Sequence, residues 1–355
     1  MTNLAAAETD AASPSVGESS LFQPLRLRGL EVPNRLWLSP MCQYSAVDGV
    51  PGDWHLAHLG DRASGGWGLL FTEATAVSPE GRISDGDTGI WSAAQACAWQ
   101  RIVDFVHGRG ARVALQLGHA GRKASLAAPW KGTEGSVPPE HGGWVARSVS
   151  AEPVPGLAAP LALEADELPR IVDAFAEAAA RGVFAGFDAI EILAGHGFLL
   201  HSFLSPLTNH RTDAYGAGHR SGLLEEVVVA VRGTIPAHVP LLVRVSATDW
   251  LPGGISVADT VLLARRLAAL GVDLVDVSSG GLLPADIPVR PGYQVDAARR
   301  GAHRSRGVAR SVLRAALGAR TGSGGGLAAA VCPRSLGLTG ARGADAAGGM
   351  DRLRP

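Results

Sequence analysis

Six short apolar runs recur along the chain, separated by stretches with helical periodicity. The runs are RLWLSPM (35–41), WGLLFTEATAV (67–77), ARVALQLGHAG (111–121), FDAIEILAG (187–195), PLLVRVSATD (240–249) and DLVDVSSGG (273–281). Each is nearly continuous rather than alternating, which is the signature of a strand buried on both faces of a parallel sheet. Between them, helices are predicted over 54–66, 92–110, 166–185, 221–234 and 256–271, with Ser92 placed to cap the second. A Pro/Gly-rich insertion occupies 122–163. Alternating strands and helices predict an α/β fold, either a (β/α)8 TIM barrel or a doubly wound sheet. The barrel is favoured because Cys42, Glu73, Gln116, His119, His196 and Arg244 fall towards strand ends, where barrel enzymes place their chemistry. A dinucleotide-binding fold is not supported, since no GxGxxG follows the first strand and GSGGG (322–326) follows no clear strand.

Composition adds little until it is read by position. The 355 residues carry 32 Lys+Arg and 33 Asp+Glu, a net charge of −1 that gives no reason to expect nucleic acid as a partner. No apolar run is long enough to span a membrane, so no membrane partner is expected. Cys42, Cys97 and Cys332 are too few and too scattered for a disulfide framework or a metal site, which fits a reducing cytoplasm. His55 and His58 lie three apart on a helix, and packing is the preferred reading over metal ligation. Residues 1–20 are Ala/Ser/Thr-rich and read as a disordered tail. The charges divide sharply: residues 1–294 hold 21 basic and 30 acidic groups, whereas 295–355 hold 11 and 3. Those last residues also lack Glu, Lys and every aromatic, which real cores and helix surfaces seldom do.

Gln116 and Arg244 together offer an amide and a fixed positive charge to one ligand, a set that suits the anionic reduced form of a flavin. SPMCQYS (39–45), TEATAVSPEGR (72–82), QLGHAGRKA (116–124), the stretch from Ile190 to Gly216, VRVSATD (243–249) and PGYQV (291–295) closely resemble the Old Yellow Enzyme family. The similarity is greatest to its bacterial branch with a cysteine beside the flavin, and it covers about Leu21 to Val295. The resemblance implies a TIM barrel that binds FMN, is reduced by NAD(P)H, and passes hydride to an activated alkene on a small-molecule substrate. By the same resemblance Ser39, Pro40, Met41 and Cys42 line the flavin, with the Cys42 thiol at its reactive edge. Ala74 packs beside it, Gln116 bonds its pyrimidine edge, and Arg244 brings positive charge to it. Tyr44 closes over the substrate, and His119 orders its loop. Neighbouring subunits of this branch can share a C-terminal arginine, so a homo-oligomer is expected if that end is intact.

Two departures from the family pattern matter. Where relatives carry two carbonyl-binding donors and a proton-donating Tyr, this chain has Leu193, His196 and Phe198. His196 is then the surviving substrate anchor, ordinary enone reduction is expected to be impaired, and a quinone-like acceptor suits the site better. Beyond PGYQV, the family's seventh strand, its Gly-rich phosphate turn and its Gly-Arg pair on the eighth strand have no counterpart in 295–355. The Arg/Ala/Gly/Pro bias there is that of a GC-rich gene read in the wrong frame, which predicts a frameshift near codon 295. The rival is a divergent natural tail with GVARSVLRAALGA helical and LAAAVC a short strand. A six-stranded arc would leave two unpaired edges. The alternative for the whole chain is a catalytically silent, flavin-free protein with a basic, polyanion-binding arm.

Overall fold

The structure, a computed structural model, describes residues 20–304 and 313–315. Six parallel strands follow the predicted runs: β1 Leu36–Leu38, β2 Leu69–Ala76, β3 Val113–Gly118, β4 Ala189–Ala194, β5 Leu241–Ser246 and β6 Leu274–Ser278. Helices α1 Asp53–Ser64, α2 Ala93–His107, α3 Leu168–Phe184, α4 Gly222–Thr234 and α5 Val257–Ala269 separate them. Ser92 caps α2 as expected, its hydroxyl accepting from the Gln95 amide while the Gln95 side chain accepts from the Ser92 amide. Ser256 and Asp259 form the same reciprocal box on α5.

Two elements stand in the C-terminal region. Helix α6, Val295–Arg304, begins where the family-like sequence was expected to stop and packs on α5. Strand β7, Leu313–Ala315, pairs in parallel with β1, giving one seven-stranded sheet in the order β6-β5-β4-β3-β2-β1-β7. Both corrections concern the tail: the Leu313 segment is extended where a helix was weighed, and one of the two expected open edges is covered. The physical reason is that the β1 edge offers a row of unpaired N–H and C=O groups, and satisfying them outweighs the weak helical preference of a three-residue stretch. The expected N-terminal tail (1–20), apart from Ser20, and the stretch LAAAVC lie outside the described residues.

The sheet buries two distinct apolar faces. Outward residues such as Leu70, Leu115, Ile190, Ile192, Val243 and Val245 pack under the helices. Inward residues Trp37, Leu69, Phe71, Ala114, Ala189, Leu242 and Leu274 form a second cluster with Leu25, Leu27, Leu30 and Val32. Those last four come from an antiparallel hairpin, Leu25–Leu27 with Leu30–Val32, that the sequence reading missed and that plugs the N-terminal end of the barrel. With that end filled by side chains, the chemistry is left to the opposite, C-terminal end.

Candidate active site

Strand alternation builds the site layer by layer. Two residues beyond the inward apolar layer, the same strands present Ser39, Gln116, Glu191, Arg244 and Asp276. On β2 the alternation is interrupted, because Phe71 pairs with Ala114 but Ala74, not Glu73, pairs with Gln116. That one-residue bulge puts the small Ala74 in register with Gln116. Glu73 is thereby sent to α1, where its carboxylate lies 2.9 Å from His55 Nε2 with both side chains buried. It also accepts the Gln43 amide at 2.9 Å. The expectation that Glu73 sits at a strand end is therefore corrected: it lies mid-strand and braces the 39–45 segment. His55 is held on both ring nitrogens, by Glu73 and by the Gly52 amide it accepts at 3.0 Å, and among the described residues no group of three His, Cys, Asp or Glu side chains is placed to hold a metal.

Carboxylates hold both polar groups singled out from the sequence. Gln116 Nε2 donates to Glu191 Oε1 at 2.8 Å, and Arg244 Nε lies 3.1 Å from Asp276 Oδ2 on the adjacent strand. Glu191 and Asp276 were missed in the sequence, although an acid inside an apolar strand (IEIL, LVDV) was the available signal. Each partner fixes one end of its side chain.

Above this layer, a narrow recess is lined by Ala74, Gly118, Leu193, Phe198, His119 and Asp87. Leu193 is 3% exposed, and a Cβ placed on Gly118 would touch its Cδ2 at 3.6 Å and Ala74 Cβ at 3.8 Å. Asp87 is buried, with its carboxylate accepting from the Ile83 amide (2.7 Å) and the Ser84 hydroxyl (2.9 Å). Burial, reinforced by Glu73, raises its pKa to about 7. The same environment acts on Cys42: burial, then Asp87 and Glu73, push its thiol well up, although Tyr44 hydrogen-bonds to it. The thiol is therefore protonated at neutral pH, a poor nucleophile and a weak dipole. Tyr44 stands in the left-handed region (φ 49°), edge-on to Trp130 at 5.7 Å, and its hydroxyl is likewise shifted upward by burial.

His196 belongs to a neighbouring cluster. Its Nε2 lies 2.7 Å from the Ser278 hydroxyl, its amide donates to Ser246 Oγ at 2.9 Å, and its ring meets Phe198 edge-on at 6.4 Å. Burial, helped by Arg244, His201 and Lys123, lowers its pKa to about 3, so the imidazole is neutral. If Ser278 donates to Nε2, the hydrogen resides on Nδ1, which is then a neutral donor for a ligand. His119 does order its loop: its Nδ1 accepts the Gly121 amide at 3.1 Å and its carbonyl accepts the Leu199 amide at 3.0 Å. The structure thus joins Ala74, Leu193 and Phe198 in one recess, Gln116 and Arg244 in the layer below it, and Cys42 with Tyr44 beside it. His196 reaches the recess only through Phe198. Ser39 is buried, and Pro40 and Met41 are partly buried on the same strand exit.

An amide and a guanidinium, each steadied by an acid at the C-terminal end of a parallel barrel-type sheet, are compatible with the flavin-dependent oxidoreductases of the barrel type, and the comparisons with known proteins make that class explicit. The chain belongs to the NADH:flavin oxidoreductase / NADH oxidase family, the Old Yellow Enzyme group, whose family model matches residues 20–316. The match extends past Val295, beyond the motifs that carry the sequence resemblance. An NADH:flavin oxidoreductase of Gibberella zeae is 42% identical over 332 residues, covering 88% of this chain and 80% of that protein. An NADPH dehydrogenase of Bacillus subtilis is 42% identical over 284 residues, covering 79% of each. Among solved structures, morphinone reductase superposes with a TM-score of 0.69 at 30% identity, over 83% of this chain and 79% of its own. The Old Yellow Enzyme homologue of Zymomonas mobilis gives 0.66 at 30% identity, over 76% and 77%. The protein is accordingly an FMN-dependent NAD(P)H oxidoreductase on a (β/α)8 framework. No helix among the described residues is long and apolar enough to cross a membrane.

Proposed function

We propose that this chain uses FMN to carry electrons from NAD(P)H to an apolar, quinone-like acceptor, and reduces ordinary enones poorly. FMN supplies the hydride chemistry, which the protein's own groups do not have. The donor set fits the ring system: Gln116 and Arg244, held by Glu191 and Asp276, would meet its polar edge, while Ser39, Pro40, Met41, Cys42 and Ala74 would flank it. The FMN phosphate is a separate matter, because the family's phosphate motifs fall in 295–355, where the sequence departs. We propose that this region does not supply them. Reading the other two frames of the coding DNA past Gln294 tests this: a Gly-Arg pattern there supports a frameshift, and its absence overturns it. A homo-oligomer that shares a C-terminal arginine depends on the same outcome.

The observation that carries the substrate reading is the wall formed by Leu193 and Phe198 beside His196. Reducing an enone builds negative charge on the carbonyl oxygen and requires a proton at carbon. Leu193 can donate no hydrogen bond and Phe198 can deliver no proton, which leaves His196, in the adjacent cluster behind Phe198, as the nearest imidazole to serve as a donor. A quinone takes its protons on oxygen, which water can supply, and its flat ring suits an apolar wall. The test begins with the purified 355-residue chain, which should be yellow with a flavin band near about 450 nm. Turnover with NAD(P)H should then be faster on menadione than on 2-cyclohexenone. A colourless folded protein would favour the flavin-free alternative, and faster cyclohexenone reduction would overturn the substrate reading.

A further inference from the structure

We propose that Lys123 is a positioning residue: its ammonium ties the turn carrying His196 and Phe198 to the loop after β6, and so sets where both side chains stand in the site. The proposal deepens the active-site reading above and rests on it. Lys123 ends the short 3-10 turn Gly121–Lys123 that leaves β3. Its Nζ donates to the His196 carbonyl at 2.8 Å and to the Gly281 carbonyl. Those acceptors belong to separate loops, one leaving β4 and one leaving β6. Next to it, buried Arg122 donates to the Leu282 carbonyl at 2.8 Å, so the β6 loop is gripped twice from the same turn.

The two loops meet backbone to backbone, and that contact calls for such a tie. His196 and Gly197 are left-handed at φ 58° and 76°, and Gly280 and Gly281 at 65° and 81°. A Cβ on Gly281 would lie 2.8 Å from the His196 Cα, and one on Gly197 would strike the Gly281 carbonyl. Two turns this close direct carbonyl oxygens towards a common point, where like dipoles repel unless a cation lies between them. Lys123 supplies that cation, with its Cε stem 3.0 Å from a Cβ position on Gly197 and its Nζ 5.9 Å from the Phe198 ring centre. The non-glycine left-handed backbone of His196 is strained and persists only where its surroundings hold it. Three further bonds share the work: Ser246 Oγ accepts the His196 amide and donates to the Gly280 carbonyl at 2.8 Å, and the Gly280 amide donates to Thr248.

The experiment compares wild type with Lys123→Met by hydrogen–deuterium exchange and by steady-state kinetics on the holoenzyme. Lys123→Met should raise exchange at the His196 and Gly280 amides together by about tenfold or more, with helices α1 to α3 unchanged. The KM for 2-cyclohexenone should rise about tenfold with kcat within about threefold, because a misplaced wall weakens binding more than hydride transfer. Should Lys123→Met fail to fold, Gly281→Ala attacks the same contact from the other loop, and increased exchange should reach His196 from there. Unchanged exchange at His196 in the folded variant overturns the proposal, as does an effect of Gly281→Ala confined to residues 279–282. The exchange measurement needs no turnover, so it stands or falls separately from the substrate reading.

Discussion

Restoring the missing donors at the recess is the sharpest perturbation, as Leu193→His with Phe198→Tyr. Leu193 is 3% exposed and lines the recess with Gly118 and Ala74, so a histidine of similar bulk replaces it without gross overpacking. Burying an imidazole with incomplete partners costs about 1–3 kcal/mol, a tolerable fraction of the ~5–15 kcal/mol that holds a domain folded. In return the developing oxyanion gains a second donor beside His196. One such donor contributes about 3 kcal/mol, and every 1.4 kcal/mol is tenfold, so cyclohexenone turnover should rise about 100-fold. The Phe198→Tyr hydroxyl adds a proton source worth about 10²–10⁴-fold on its own, but the two sites are close and their gains will not simply add. The assay is NAD(P)H-dependent reduction of 2-cyclohexenone and of menadione at equal flavin content. A rise on cyclohexenone with little change on menadione is expected. If both rates stay within about threefold of wild type in a fully flavinated variant, the assigned cause of the deficit is wrong.

Three other outcomes follow from the geometry. Glu191→Leu frees the Gln116 amide and Asp276→Leu leaves Arg244 unpaired in a buried layer; each should weaken FMN retention about tenfold or more, read by flavin fluorescence after dilution. Asp87, with a pKa raised to about 7, holds a proton in the folded state that the unfolded chain has released above its ordinary value of 3.8. Its contribution is therefore present in acid and lost as pH rises towards 7, so the melting temperature of Asp87→Asn relative to wild type should climb between about pH 4 and 7 and level off above that. His119 and His196 act in the opposite sense, their pKa values being lowered from 6.5 to about 4 and about 3. The unfolded chain binds their protons first, so stability should fall as pH drops from about 6.5 towards 4, and a neutral substitution of His119 should flatten that slope in a pH series of thermal melts.

Much of this architecture was legible in the sequence because continuous apolar runs and helical periods are local signals. All six runs became strands and all five intervening helices formed, with ends within a few residues of those expected. The hairpin Leu25–Val32 escaped because its two strands are three residues each, too short for an alternation to register. Leu313–Ala315 escaped because its pairing with β1 is a property of the edge it meets, not of the segment itself. Among site residues, Cys42, Ala74, Gln116, Leu193, His196, Phe198 and Arg244 came from motif resemblance. Their supports, Glu191, Asp276, Asp87, Ser278 and Lys123, became visible only in space.

By itself the sequence determined the alternation of strands and helices, the placing of Gln116 and Arg244 on the strands that carry the family motifs, and the absence of a hydroxyl at Phe198 and of a donor at Leu193. It also exposed the break in charge and composition after Gln294. Tertiary structure decided which neighbour each buried polar group would have. The bulge in β2 sent Glu73 to His55 and brought Ala74 inward, and strand register set Gln116 against Glu191 and Arg244 against Asp276. Periodicity tells a residue which face it occupies, whereas pairing, protonation and the Lys123 tie depend on residues tens of positions away that only the curled parallel sheet brings within hydrogen-bonding range.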